Sequence, residues 1–552
     1  MMRRIGDSER AHSFRPSGSL PRYARRPLFL AGLLFTLASV GSLRPPPPAT
    51  LLAQEAASTK PQDAPSPVVV KLTTDWLARP LLVGQQSQTD IAAHVETRVR
   101  PVTIPTDANQ WRDEVERRRN DMMERVVLRG VPPTWRSAEP PKVEWLGLVE
   151  ERDDYRIKRL RYEALPGLWI PALLYEPKQI SGKVAVSLHV NGHDGVGKAA
   201  PYKQIRCLNL VRRGLLALNV EWLGMGQLRG PGYAHGRLNQ LDLCGVAGLA
   251  PFYLAMQRGL DVLLAHPSAD PARVAVAGLS GGGWQTIYIS ALDPRVTLAN
   301  PVAGYSSFRT RARHHSDLGD SEQTPSDMGI VADYSFLTAM RAPRPTLLTY
   351  NLKDNCCFAS GHALPPLVES SRPAFALLGA KENLRSHINE DPGTHNFERD
   401  NREAFYRMLA DHGFASAGRP FPTAELDCKS LVKTEQELMV ELPEGNLDLH
   451  QLAVAAAKGL PRSPATPTPG QDVEAWRSAR QAVLRERVRW EAPNGSAQKL
   501  STDERDGFQG QFWRIRVNDQ WTLPVVEITQ SPTNPARGAT ILVAQGGTSE
   551  RP

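Results

Sequence analysis

The stretch RVAVAGLSGGGW at 273–284 decides the fold. Its first half is an apolar run with the character of a buried strand, and its second half passes through Trp284 into a helical sequence. Between the two, Gly278-Leu279-Ser280-Gly281-Gly282 matches the G-x-S-x-G pattern of a nucleophile elbow. A sharp strand-to-helix turn holds the serine in strained backbone geometry. Side chains two residues to either side would collide with the neighbouring strand or the helix start, which is why glycine is needed there.

A serine hydroxyl is a poor nucleophile at neutral pH, so it needs a histidine base and a carboxylate that fixes the imidazole tautomer. Both follow in order. PTLLTYNLKD at 345–354 reads as a buried strand ending in Asp354, and NEDPGTHNF at 389–397 as a strand-exit loop carrying His395. Asp391 and Asp293 lie close to suitable loops, His387 falls inside a strand-like run, and His362 lacks a Gly-rich exit loop, so Asp354 and His395 are preferred. The backbone N–H of Gly281, at the positive end of the helix, is a candidate oxyanion donor. The backbone N–H of His193 is the second candidate, because Asn191-Gly192-His193 leaves the apolar run 184–190.

Working outward, strand-like runs at 155–162, 168–175, 184–190, 215–220, 273–277, 296–302, 346–350 and 385–389 alternate with helical stretches. That rhythm predicts an α/β class with a mostly parallel sheet covered by helices on both faces. The 552 residues allow two or three domains, and 41% hydrophobic with 22% charged residues exclude wholesale disorder and a polytopic membrane protein. Of the net charge of +8, nine Lys+Arg against three Asp+Glu put +6 in residues 1–60 and leave +2 elsewhere. That near-neutral remainder argues against a nucleic-acid partner.

The basic start belongs to a leader. Arg22, Arg25 and Arg26 precede an apolar run at 28–43 and a break at Pro45–Pro48, the pattern of an export signal. The run is short for a bilayer span, and an uncleaved N-terminal anchor is the other reading. Export to the periplasm or exterior is therefore expected. The five cysteines (Cys207, Cys244, Cys356, Cys357, Cys428) are too few for a disulfide scaffold. A bond from Cys356 or Cys357 to Cys207 or Cys244, and a pair of buried thiols, are both open.

The set Ser280, Asp354 and His395 with NGHDG at 191–195 resembles the α/β-hydrolase superfamily, in particular secreted acetyl xylan esterases, dienelactone hydrolases and prolyl-oligopeptidase-like catalytic domains. The resemblance covers 140–415, with GLSGGGW and PGTHNF its most specific parts. It implies a serine hydrolase with no cofactor, acting on small-molecule or polysaccharide esters. Residues 60–140 cannot hold a propeller, and Asn191 stands where many relatives have histidine. NVEWLGMGQ at 219–227 resembles a loop that acetyl xylan esterases use near the pocket. A peptidase-like amide hydrolase and a catalytically silent binding protein of the same fold are the alternatives. Trp222, Trp284 and Tyr305 are candidates to line a sugar cleft, with core packing as the competing reading. His314, His315 and Asp317 lack a matching further ligand, so no metal is expected.

The domain reading is an export signal or anchor at 1–53, a Pro/Ser/Thr-rich linker at 54–105, the catalytic domain at 106–420, a linker region at 421–470 and a second unit at 471–552. That last unit repeats the start of the catalytic domain. Its helical stretch at 472–489 corresponds to that at 108–129, FWRIRV at 512–517 to YRIKRL at 155–160, and ATILVAQGG at 539–547 to VAVSLHVNG at 184–192. It is expected to be a partial hydrolase-like unit without its own nucleophile, as in a fragment of a tandem protein.

Overall fold

The structure is a computed structural model that describes residues 67–530 apart from 417, 462–465, 469 and 471. The expected leader, the first part of the linker and the strand expected at 539–547 lie outside the described residues.

The apolar runs form the nine-stranded sheet β1 (Val143–Glu151), β2 (Tyr155–Leu165), β3 (Leu168–Pro177), β4 (Val184–His189), β5 (Leu216–Val220), β6 (Ala269–Leu279), β7 (Leu298–Val302), β8 (Thr346–Asn351) and β9 (Leu384–Asn389). The strand order is β1-β2-β3-β5-β4-β6-β7-β8-β9. β1, β2, β3 and β5 pair antiparallel in succession, and from β5 through β4, β6, β7 and β8 to β9 every pairing is parallel. The residues of β4, β5, β7 and β8 are buried throughout, as strands covered on both faces must be.

Side-chain alternation divides the core. Val186, Leu188, Val274 and Val276 join one apolar cluster with the helices Ala250–Leu264 and Gly281–Leu292. Ala185, Ala275 and Ala277 join the other, with the helices Pro201–Arg212 and Arg399–Asp411. The chain leaves β4 with β5 on one side and β6 on the other, which makes a topological switch point. In open α/β sheets the crevice at the carboxyl ends of such strands is where ligands bind.

Two compact units emerge, and the larger holds Gly84–Ala497 with Ile515–Leu523. It extends beyond the expected 106–420 for identifiable reasons. The helix Leu449–Lys458, in the region expected as linker, starts with a capping box between Asp448 and Gln451 and buries Leu449, Leu452 and Ala453 in the first cluster. Cys428, Leu438 and Val440 belong to the second cluster, and Asn209 and Arg213 donate to the carbonyls of Leu426, Pro422 and Ala424. Residues 86–98 form a helix rather than an extended arm. β1 was not anticipated from the sequence.

The described part of the smaller unit comprises residues 67–83, 498–514 and 524–530. The helix Pro67–Leu77 replaces expected linker, because Leu72 and Trp76, four residues apart, share one face and are buried with Leu81 and Phe512. Trp76 meets Phe512 edge-on at 6.2 Å, and the Arg79 guanidinium stands 4.4 Å over the Phe512 ring. β10 (Gly495–Arg505), β11 (Phe508–Val517) and β12 (Trp521–Gln530) form a separate three-stranded sheet in that order.

Candidate active site

Ser280 occupies the turn between β6 and the helix Gly281–Leu292 with φ 60° and ψ −124°, a left-handed conformation that costs a side-chain-bearing residue energy. Its N–H donates to Val302 O at 2.9 Å, which ties the turn to the end of β7. The glycines have the steric role expected of them. A Cβ on Gly282 would lie 2.5 Å from Val190 O, one on Gly278 would overlap the same oxygen, and one on Gly281 would overlap the Trp222 ring. Ser280 itself is 9% exposed.

Asp354 follows β8 and His395 follows β9, so both loops open at the same edge of the parallel sheet as the Ser280 turn. His395 Nδ1 is 2.9 Å from Asp354 Oδ2 and 3.0 Å from Oδ1. The N–H groups of Cys356 (3.0 Å) and Cys357 (3.2 Å) donate to Asp354 Oδ1, and Asn351 Nδ2 donates to Oδ2 at 3.2 Å. With acceptors only on Asp354, Nδ1 of His395 carries the proton and Nε2 keeps a free lone pair. Burial works against the carboxylate charge. The hydrogen bond and charge of His395 together with these N–H donors nonetheless hold Asp354 below the ordinary carboxylate range. Burial likewise opposes the His395 charge, but Asp354 outweighs it and raises His395 above the ordinary histidine value.

Buried asparagines brace both loops, a feature the sequence reading missed because Asn carries no periodic signal. Asn401 Nδ2 donates to Asn351 Oδ1 at 3.0 Å, and Asn396 Nδ2 donates to Asn389 Oδ1 at 2.9 Å. Asn389 Oδ1 also accepts from Gly393 N at 2.9 Å. Three of the four rival residues are engaged elsewhere. His387 pairs with Asp400 at 2.8 Å, His362 with Asp317 at 3.0 Å, and Asp293 with Arg295 at 2.7 Å.

The Asn191-Gly192-His193 segment is packed directly on the elbow. A Cβ on Gly192 would overlap Leu279 O and lie 2.8 Å from Gly281 N. Asn191 is buried, donating to Asn219 Oδ1 at 2.8 Å and Val220 O at 2.6 Å, while its carbonyl accepts from Gln285 Nε2 at 2.5 Å. Here Asn191 braces the loop against β5 and the elbow helix. The His193 ring lies 4.9 Å from Trp222, whose ring in turn covers Gly281.

The structure corrects the aromatic expectations. Trp222 packs against the elbow but is only 3% exposed, and with Trp284 and Tyr305, both 0% exposed, it belongs to the first apolar cluster, so none of the three offers an open face to a sugar. Trp284 sits inside a helix buried on every side, and Tyr305 stacks on Tyr334 at 5.4 Å. Asp317 is buried and turned toward Ser306, Phe358 N and His362. All five cysteines are free thiols, so the disulfide considered from the sequence is absent. Cys356 Sγ instead lies 2.9 Å from Cys357 Sγ.

No protein-family model matches the chain. It is similar to the methylesterase BT1017, with a TM-score of 0.50 and 20% identity over 73% of this chain and 82% of that one. The chain has the α/β-hydrolase fold. A stretch of 147 residues is 33% identical to the acetyl esterase Axe7A of Xylanibacter ruminicola, covering 25% of this chain. The chain spans 31% of the length of that curated relative.

Proposed function

We propose that this hydrolase cleaves carboxylic esters, of an acylated carbohydrate in particular, through a Ser-His-Asp acyl-enzyme mechanism. The observation that carries the reading is the two-oxygen pairing of Asp354 with His395 Nδ1, on loops opening at the same sheet edge as the strained Ser280 turn. Ser280 Oγ attacks the ester carbonyl while His395 Nε2 takes its proton. Asp354 stabilises the imidazolium, and the backbone N–H groups of Gly281 and His193 receive the charge that develops on the carbonyl oxygen. His395 then protonates the leaving alcohol, and the same imidazole activates the water that releases the acid. The similarity to an acetyl esterase points to a short acyl group, and the buried Trp222 ring backs Gly281 and His193, the two oxyanion donors of this reading.

The reading includes export, supported by Arg22, Arg25 and Arg26 ahead of the apolar run 28–43. Among the described residues no helix is long and apolar enough to cross a membrane. It also includes a partial repeat in 471–552. The helix Val473–Arg487 followed by β10-β11-β12 reproduces the helix Ala108–Met122 followed by β1-β2-β3. Each helix has 15 residues and an Asp side chain accepting at its N-terminus. The test is turnover of a panel of acetylated sugars, uronate methyl esters and peptides by wild type and Ser280→Ala. Ester-only turnover that falls by roughly six powers of ten in the variant supports the reading, and peptide turnover or an active variant contradicts it.

A further inference from the structure

Beside the elbow, three loops of the larger unit bring together His193 after β4, His235 after β5, and the pair Asp320 and Glu322 ahead of the short helix Met328–Val331. His193 Nε2 is 2.9 Å from Asp320 Oδ2, and His235 Nδ1 is 3.5 Å from that oxygen and 3.1 Å from Glu322 Oε1. The donor atoms of His193, His235 and Asp320 all lie within 4.8 Å of one another.

Two further observations point to a ligand. His235 Nε2 is 2.7 Å from Leu223 O, an arrangement in which Nε2–H donates and the Nδ1 lone pair faces the gap between the carboxylates. Metal-bound histidines are commonly fixed by such a second hydrogen bond. The Glu322 carboxylate is 0% exposed, and the neighbour it has is His235 Nδ1 at 3.1 Å, in poor alignment for a hydrogen bond. A fully buried carboxylate with one poorly aligned neighbour is costly unless a cation offsets it.

We propose that His193, His235 and Asp320, backed by Glu322, bind a divalent cation of the zinc class. Two imidazoles and one carboxylate suit Zn²⁺, with the Glu322 carboxylate beside His235 as a second negative charge, and ligand atoms about 2.0–2.2 Å from a tetrahedral zinc stand roughly 3.3–3.6 Å apart, inside the 4.8 Å that encloses the three ligand atoms here. The two negative charges balance the ion. The ligands come from three distant stretches, so no local motif announces the site. A bound ion would fasten the His193 loop to the loops carrying His235 and Asp320. Only this consequence for an oxyanion donor rests on the proposed ester hydrolysis, and the binding itself does not.

The other occupant of the gap is a proton on His235 Nδ1, which leaves an ion-paired histidine and no metal. The test uses the full chain, stripped with chelator and titrated calorimetrically with Zn²⁺, and its Co²⁺ form examined by absorption. Expected are one zinc per chain, binding weakened by more than about 100-fold in His235→Ala and Asp320→Asn, and tetrahedral cobalt bands without thiolate charge transfer. Binding should persist in the Cys356→Ser/Cys357→Ser double variant, which removes the neighbouring thiol–imidazole group. Asp320→Asn decides the matter if His235→Ala does not fold. No zinc binding, binding that survives Asp320→Asn, or binding lost with the cysteines overturns the proposal. None of these readouts depends on turnover, so failure here is distinct from failure of the esterase reading.

Discussion

His395 Nδ1 approaches both oxygens of Asp354, at 2.9 and 3.0 Å, and the Asp354 side chain has no exposed surface. The carboxylate is thus committed to one imidazole, and the N–H groups of Cys356 and Cys357 hold it from behind.

That pairing sets a pH dependence. His395 must be neutral to accept the Ser280 proton, and Asp354 raises its pKa. The rate should therefore be low under acidic conditions, where the imidazole is protonated. It should climb with pH through an apparent pKa above the ordinary histidine value of about 6.5. A kcat/KM profile measures this. Asp354→Asn should lower kcat by about 10⁴-fold and His395→Ala at least as much. Larger effects from His387→Ala or Asp400→Asn would place the machinery on the wrong pair.

Gly192→Ala would drive a methyl group into Leu279 O and toward Gly281 N. Displacing the loop proposed to carry the His193 oxyanion donor should lower kcat by about 10²–10³-fold with a smaller change in KM. Gly236→Ala, where nothing lies within 4 Å, is the control and should behave as wild type in the same steady-state assay.

Tyr305 donates to or accepts from Thr338 Oγ1 at 3.1 Å inside the core. Tyr305→Phe should cost about 1 kcal/mol in a denaturant titration and leave KM unchanged, because the ring meets no solvent. Trp222→Ala should cost more, about 3–5 kcal/mol in the same titration, because it strips a buried ring from Gly281 and His193.

Deleting residues 473–552 should leave ester turnover per folded molecule intact if the C-terminal segment contributes no catalytic group. It should also uncover Trp76 and Leu72, whose cluster includes Phe512, and so lower the melting temperature of the N-terminal helix. Steady-state kinetics on the soluble fraction checks the first expectation and calorimetry the second.

The central parallel strands were legible because Val, Leu and Ala dominate their runs, as in 274–277 and 184–188, and burial on both faces demands that composition. β1 escaped because it is half exposed, with Trp145 and Leu148 facing outward and register shifts near both. The helices at 67–77 and 86–98 were hidden by a linker-like composition, although Leu72 and Trp76 already carried helical spacing. The order of Ser280, Asp354 and His395 could be read locally, since each ends a strand. The asparagine braces and the His193, His235 and Asp320 cluster could not, because those side chains meet only after distant loops converge. Trp284 and Tyr305 looked like cleft residues by position, and packing against Tyr288 and Tyr334 made them core.

Fluorophosphonate labelling followed by peptide mapping of the adduct tests directly whether Ser280 is the nucleophile. The expected result is a single adduct on the peptide carrying Ser280, formed in wild type, slowed in His395→Ala and absent in Ser280→Ala. An adduct on any other residue, or labelling that persists in Ser280→Ala, would contradict it.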